Sequence, residues 1–201
     1  MSFTQSEKTA IVHLKSSIAS YYNLQMKKLS DRTLESLFYS SCIITGGCIQ
    51  ALYHNESVND IDVYAKGEKS KAEILSHILT AKDNLVKYSE EYDLEDGTKV
   101  QPKLLITENA ITLNNDVQFV HLDLAEVCRK KFDFIHCMPY YDLMTQKLYI
   151  SETQFKAIHT RTLSPNIKGE DIKERRIGKY TAKGWKLETG VLAERYLNKN
   201  I

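Results

Sequence analysis

Two aspartates in the first third of the chain have the spacing needed to bind divalent cations. Asp60 and Asp62 are separated by one residue, and side chains two apart on a β-strand project from the same face, roughly 7 Å apart along the backbone. Paired carboxylates can hold Mg²⁺ or Mn²⁺, which stabilises the attacking and leaving oxygens of phosphoryl transfer. The spacing therefore predicts that Asp60 and Asp62 are catalytic metal ligands.

A glycine turn precedes this pair. Thr45-Gly46-Gly47 follows the apolar run 42–44, a pattern typical of a buried strand that enters a tight turn and then a helix. Glycine lacks a Cβ, so backbone amides at such a turn can approach phosphate oxygens closely, and a helix start favours anions. We predict that Thr45, Gly46 and Gly47 bind a nucleoside triphosphate. A Gly-Gly pair alone is usually a turn, and an Asp-x-Asp pair alone is usually a polar strand face. The two motifs together are more specific for a functional site.

The hydrophobic pattern around these motifs predicts an α+β protein, with a small mixed β-sheet backed by helices and a helical C-terminal part. We divide the chain into a domain that contains the N-terminal helices and both motifs, 1–138, and a helical C-terminal segment, 139–201. Helices are predicted over 4–29, 32–40, 48–54, 71–79, 172–185 and 189–197. Strands are predicted over 42–44, 60–65, 85–92, 104–113 and 117–122, with a hairpin turn at 114–116 and helical structure from 124 onward.

Composition narrows the class of protein. The 201 residues include twelve tyrosines and six phenylalanines but only eight glycines and three prolines, which favours a compact fold over a disordered chain. No signal-like N-terminus and no run of about eighteen apolar residues occur, so we expect a cytoplasmic protein without a membrane partner. The four cysteines lack Cys-x-x-Cys spacing, which argues against a zinc site or a disulfide framework.

Positive charge concentrates near the C-terminus. Residues 151–201 hold eleven of the 27 Lys and Arg but only six of the 26 Asp and Glu, so the segment carries a net charge of +5. Arg176 and Lys179 lie at helical spacing in this segment, and Tyr180 and Trp185 are interleaved with its cations. This surface is either an ordinary solvated face or a site that meets triphosphate, RNA or tRNA phosphates and stacks on bases.

The motifs resemble those of the polymerase β nucleotidyltransferase superfamily. The spacing from Thr45-Gly46-Gly47 to Asp60-Ile61-Asp62 is similar to that in the head domains of CCA-adding enzymes and bacterial poly(A) polymerases. Residues 131–138 resemble a segment of those enzymes that contacts the nucleotide sugar, and residues 176–182 resemble their neck helix. The chain is also similar to small nucleotidyltransferase-like proteins of bacteriophages.

This resemblance implies a Mg²⁺- or Mn²⁺-dependent enzyme that binds a nucleoside triphosphate through Gln118, Asp133, Arg176 and Lys179 as well as the glycine turn. Two positions depart from the family pattern. Gln50 stands in the segment where CCA-adding enzymes have a phosphate-binding arginine, and Gln118 stands where a third carboxylate is expected. Asp133 has a second interpretation, as a cap of the following helix.

Two classes of function remain open from the sequence. The first is an enzyme that transfers a nucleoside monophosphate to an RNA, a protein or a small molecule. The second is a catalytically degenerate protein of the same fold, such as a phage-encoded one, that binds a nucleotide or a host partner. The neutral amide of Gln118 favours the second class, because it is neither a general base nor a strong metal ligand.

Overall fold

The computed structural model describes residues 3–29, 31–87, 92–93, 99–100, 104–113, 116–124, 127, 131–166, 172 and 174–188, with the backbone alone for those from 82 to 100. Within these ranges the chain is an α+β protein built on a mixed sheet, as the sequence predicts. Six α-helices are described: α1 (Gln5–Leu29), α2 (Arg32–Ser41), α3 (Gly47–Tyr53), α4 (Glu68–Lys87), α5 (Glu152–His159) and α6 (Glu174–Thr181).

Seven strands form the main sheet: β1 (Cys42–Thr45), β2 (Ile61–Ala65), β5 (Leu105–Ile106), β6 (Ala110–Leu113), β7 (Val117–Val120), β8 (Tyr140–Asp142) and β9 (Lys147–Tyr149). Their spatial order is β5-β6-β7-β2-β1-β8-β9. The β2–β7 pair is parallel and the other pairs are antiparallel. Two small sheets pair β3 (Tyr92–Asp93) with β4 (Lys99–Val100), and β10 (Thr162–Leu163) with β11 (Lys186–Leu187).

Local capping explains where two of the helices begin. Asp31 caps α2, because its side chain accepts a hydrogen bond from the Leu34 amide at 2.9 Å. Ser151 and Gln154 form a reciprocal capping box at the start of α5. Such caps satisfy amide groups that a helix end leaves without an intrahelical partner.

The sheet separates two hydrophobic clusters. Alternate strand residues such as Ile44, Val63 and Phe119 face the N-terminal helices α1, α2 and α4. The other set, which includes Ile43 and Tyr64, faces the C-terminal segments. Period-two alternation assigns Asp62, Thr45 and Gln118 to this second face, so the polar candidates lie on the side that the C-terminal residues cover.

Several expected elements differ in the structure. Residues 85–87, expected to begin a strand, continue helix α4, and the strand expected over 104–113 is divided into β5 and β6. Residues 140–149, expected to be helical, form the β8–β9 hairpin at one edge of the sheet. Each of these hairpin strands has three residues, too few to show a period of two in the sequence.

The predicted pairing of β6 with β7 is confirmed, although residues 114–115 of its turn lie outside the described residues. The helix expected over 189–197 also lies outside them. The division at residue 138 stays a prediction. In the described part of the chain, no helix is both long enough and apolar enough to cross a membrane.

Candidate functional site

The glycine turn is fixed by the segment that leads into β8. The Thr45 hydroxyl is fully buried and donates hydrogen bonds to the carbonyl oxygens of Cys137 at 3.2 Å and Pro139 at 2.8 Å. The Gly46 amide donates to the same Cys137 carbonyl at 3.1 Å. Thr45 therefore orients the turn through its hydroxyl and has no free donor for a phosphate.

Gly46 has a conformation and a contact that favour glycine. Its φ of 91° lies in the left-handed region, where side chains are disfavoured. A Cβ at this position would stand 2.5 Å from Oδ2 of Asp62. Helix α3 begins at Gly47, as expected, but has only seven residues, so its dipole is small. The turn and the Asp62 carboxylate are in direct contact.

A row of polar side chains crosses strands β1, β2 and β7 beside the glycine turn. In the sheet register, Asp62 of β2 is paired with Thr45 of β1 on one side and with Gln118 of β7 on the other. Gln118 in turn donates a hydrogen bond from Nε2 to the Thr112 hydroxyl of β6 at 3.2 Å. The position expected to hold a third acid thus lies beside Asp62, and a neutral amide occupies it.

Asp62 is in an environment that disfavours its charge. Burial and the nearby Asp60 carboxylate raise the pKa of Asp62 to about 7, although Arg176 and Lys179 partly oppose the shift. Desolvation and a like charge both penalise an ionised carboxylate. A cation bound between Asp60 and Asp62 would relieve this repulsion, so the two residues fit the metal that the resemblance implies.

Asp60 lies at the edge of a small polar cleft. It immediately precedes β2, which begins at Ile61, and lines the cleft together with Gly47, Gln50 and Lys179. Gln50 is 3% exposed, and its Oε1 has no hydrogen-bond partner among the described residues. The sequence analysis noted Gln50 where the family has a phosphate-binding arginine but did not count it among the binding residues, although its place one helical turn after the glycines was a usable signal.

Asp133 and Arg176 form an ion pair on one side of the site. Arg176 Nε donates to Asp133 Oδ2 at 2.6 Å, and both side chains are largely shielded from solvent. Asp133 does not cap the short 3₁₀ helix Ile135–Cys137, whose cap residue Phe134 makes no side-chain capping bond. The alternative of a capping role is therefore wrong, and Asp133 joins helix α6 to the segment before the 3₁₀ helix.

Helix α6 does not form the aromatic binding face that the sequence suggested. Tyr180 is 4% exposed and Trp185 is 3% exposed, so neither ring is available to stack on a base. Both rings instead surround His136, at centroid distances of 4.7 Å for Tyr180 and 4.2 Å for Trp185. His136 is fully buried, and neither ring nitrogen has a hydrogen-bond partner among the described residues.

The predicted site residues therefore gather at one end of the sheet. Asp62 contacts Gly46, and Asp60 shares a cleft with Gly47 and Lys179. The positive charges of Arg176 and Lys179 partly oppose the rise in the pKa of Asp62. The described residues contain no group of three or more His, Cys, Asp and Glu side chains arranged to hold a metal. A metal held by Asp60 and Asp62 would therefore need further ligands, such as oxygens of a substrate.

Helices, a mixed sheet and an acidic pair beside a glycine turn thus define an α+β protein with a candidate phosphoryl-transfer site. The family model for Gad2, the Gabija anti-defense 2 family, matches residues 16–161, so this chain belongs to that family. A curated relative, "Gabija anti-defense 2" of Bacillus phage SPbetaL7, is 25% identical over 138 residues. The match covers 69% of this chain but only 32% of the relative.

Solved structures similar to this chain include tRNA nucleotidyltransferases. One, complexed with a primer tRNA and an incoming ATP analog, has 13% identity and a TM-score of 0.39, over 62% of this chain and 35% of the other. The Thermotoga maritima CCA-adding enzyme complexed with tRNA has 11% identity and a TM-score of 0.40, over 78% and 44%. The predicted resemblance to CCA-adding enzymes and small phage proteins is confirmed. Because both TM-scores are low, the function of this chain rests on its own residues.

Proposed function

We propose that this protein is a Mg²⁺- or Mn²⁺-dependent nucleotidyltransferase that moves a nucleoside monophosphate from a nucleoside triphosphate to an acceptor. The observation that carries the proposal is the contact between Asp62 and Gly46, with Asp60 and Gly47 lining one cleft. The proposed cation ligands and the glycine turn are therefore close enough for one triphosphate to contact both.

Each residue has a distinct role in this proposal. Asp60 and Asp62 would hold the cation, which would supply charge stabilisation to the reacting phosphate. The backbone at Gly46 and Gly47 lies against the triphosphate, and Lys179 is one of two lysines, with Lys183, that line the cleft. An acceptor oxygen attacks the α-phosphorus, the bond to the β-phosphate breaks, and pyrophosphate leaves.

Three further residues adjust the same site. The Arg176–Asp133 ion pair holds helix α6 against the site and places a guanidinium where it lowers the pKa of Asp62. Gln118 contributes a neutral amide beside Asp62 and contacts the nucleotide without taking a proton. RNA and tRNA are candidate acceptors because residues 151–201 carry net positive charge, which attracts phosphate backbones.

The family to which the chain belongs indicates a biological process for the proposed transfer. The curated relative is called Gabija anti-defense 2, and we propose that this chain likewise acts against the Gabija defence of a host, through nucleotidyl transfer. The chain spans about a third of the length of that relative, so the proposal concerns the region the two proteins share.

The experiment is incubation of the full chain with each α-labelled nucleoside triphosphate, Mg²⁺ or Mn²⁺, and total cellular RNA and protein. The wild type should label an acceptor, and the double variant Asp60→Asn with Asp62→Asn should not. Asp142→Asn is the matched control, because Asp142 pairs with Lys66 at 3.2 Å on another part of the sheet. If the double variant labels acceptors as well as the control does, these aspartates do not carry the reaction.

A second candidate is a nucleotide-binding protein without turnover. Gln118 favours it, because a neutral amide stands beside Asp62 where an acid would strengthen metal binding. Calorimetry with each nucleotide in Mg²⁺ separates the two functions. Binding heat without labelled product identifies the binding protein, whereas labelled product identifies the enzyme.

A further inference from the structure

A hydroxyl acceptor must lose a proton when its oxygen attacks phosphorus, and a side chain positioned to take that proton typically contributes about 10²–10⁴-fold to the rate. The residues that flank Asp62 in the sheet register are the first candidates for this task. They are Gln118 on β7 and Thr45 on β1. Neither is a base, because a neutral amide does not accept a proton at physiological pH and the Thr45 hydroxyl is already a donor to two carbonyls.

Gln118 is also held in place by a hydrogen bond. Its Nε2 donates to the Thr112 hydroxyl on the neighbouring strand β6. This bond fixes the amide plane, so the Gln118 side chain is a positioned part of the site. A fixed, uncharged side chain beside the reacting centre removes the repulsion that a third carboxylate would exert on an anionic acceptor.

Two other acids near the site already have cationic partners. Asp133 is bound by Arg176 at 2.6 Å, and Asp116, which follows the β6–β7 turn, lies 3.3 Å from the Lys28 ammonium. Each of these two carboxylates is therefore already occupied by the cation of its partner. Asp60 and Asp62 are committed to the metal in the proposed function.

The cations around the cleft differ in their availability. Arg176 is paired with Asp133, and Lys183 lies 3.9 Å from Glu56. Lys179 makes no ion pair with any residue that the structure describes, although it lines the cleft beside Asp60. Within the described part of the chain, this ammonium is therefore available to receive the negative charge of a substrate.

We infer that the acceptor is a phosphate monoester, whose attacking oxygen is already ionised, and that the product carries a new phosphoanhydride bond. This inference rests on the proposed transferase function. The second pKa of a phosphate monoester is about 6, so no base is needed at neutral pH. The acceptor oxygen forms a bond to the α-phosphorus, the bond from the α-phosphorus to the β-phosphate oxygen breaks, and pyrophosphate leaves with that electron pair. No proton is transferred.

The test uses one cell extract containing small molecules, RNA and protein, divided into two halves. One half is treated with alkaline phosphatase, which is then removed, and both receive the full chain, Mg²⁺ and α-labelled nucleoside triphosphates. We expect about a hundredfold more label in the untreated half, the size of a typical missing general-base contribution. The labelled phosphate should resist phosphatase and be released by a pyrophosphohydrolase.

Two variants connect the result to Gln118. Gln118→Glu places a carboxylate beside Asp62 and should label the phosphatase-treated half, whereas Gln118→Ala supplies no base and should not. Equal labelling of the two halves by the wild type would overturn this inference and leave the transferase proposal standing. Labelling of neither half would overturn both.

Discussion

The Asp62 carboxylate lies so close to the Gly46 backbone that a methyl group at position 46 would stand 2.5 Å from Oδ2 of Asp62. This contact ties the glycine turn to the acidic strand in one rigid unit. Two motifs that are separate in the sequence thereby become neighbours on adjacent strands, with Thr45 and Asp62 in register. Any side chain at position 46 therefore disturbs the carboxylate that is expected to hold the metal.

Gly46→Ala should displace the Asp62 carboxylate and abolish nucleotidyl transfer. The φ of 91° adds backbone strain, so we expect a loss of about 1–3 kcal/mol of unfolding free energy. Chemical denaturation and the labelling assay measure the two effects. Gly184→Ala is the matched control, because Gly184 also has a positive φ of 80°, but a Cβ there would meet no described atom within 4 Å. Equal activity of the two variants would contradict this prediction.

Asp62→Asn should abolish transfer and stabilise the metal-free protein at pH 7–8. The pKa of Asp62 is raised from 3.8 to about 7, so the folded state keeps a proton that the unfolded state has lost. Stability from this group is complete below about pH 4 and is lost as pH rises towards 7. Asp62→Asn removes this pH dependence and should raise the free energy of unfolding by about 1–2 kcal/mol at pH 7–8. Chemical denaturation with a chelator present measures this gain.

Asp142→Asn should change the stability of the protein in the opposite direction to Asp62→Asn. Burial alone would raise the pKa of Asp142, but hydrogen bonds from Thr145 and Lys66 lower the pKa below its usual value. The native state therefore favours ionised Asp142, and its loss should destabilise the protein at neutral pH. A stabilising effect from both asparagine variants would point to a general charge effect and not to the setting of Asp62.

His136→Phe should preserve the fold and reduce its sensitivity to acid. Burial, with the nearby charges of Arg176 and His54, lowers the pKa of His136 to about 3. The unfolded chain binds a proton near pH 6.5 that the folded chain does not, so stability falls as pH drops from 6.5 towards 3. Urea denaturation between pH 6.5 and 3 measures how the free energy of unfolding depends on pH. This dependence should be less steep in the variant than in the wild type, by up to about 1.4 kcal/mol per pH unit.

His136→Ala distinguishes packing from polarity at the same position. The alanine leaves a cavity between Phe134, Tyr180 and Trp185, whose rings surround the histidine. A loss of about 2–4 kcal/mol is expected at pH 7, where the buried wild-type imidazole is neutral. If the phenylalanine variant is as unstable as the alanine variant at pH 7, the buried imidazole makes a contact that phenylalanine cannot replace.

Arg176→Met should destabilise the protein, because it leaves the Asp133 carboxylate without its partner at 2.6 Å. Adding Asp133→Asn should restore much of that stability, with a coupling energy of about 1–3 kcal/mol in a double-mutant cycle. Transfer should stay impaired in the double variant, since Arg176 also lowers the pKa of Asp62. Recovery of both stability and transfer would limit Arg176 to a structural role.

The amino-acid sequence was sufficient for most of the local structure. Helix α1 over Gln5–Leu29, the strand that enters the glycine turn and the hairpin of β6 with β7 were all predicted. The β8–β9 hairpin was missed, because strands of three residues carry no measurable periodicity. The alternative in which Tyr180 and Trp185 stack on bases was wrong, because both rings are buried around His136 and residue type alone does not reveal which side chains pack into the core.

By itself, the sequence determined the chemical groups of the candidate site and their local geometry. A glycine that tolerates a positive φ at position 46 and two carboxylates two residues apart follow from residue type and short-range spacing, although Asp60 lies just before strand β2 and not on it as expected. The family resemblance anticipated that Gln118 faces the acidic pair, but only the tertiary structure fixed the register of Gln118 with Asp62 and decided that Arg176 binds Asp133. Those relationships depend on the parallel register of β2 with β7 and on where helix α6 packs. Non-local burial and strand pairing fix both, and no local sequence pattern encodes them.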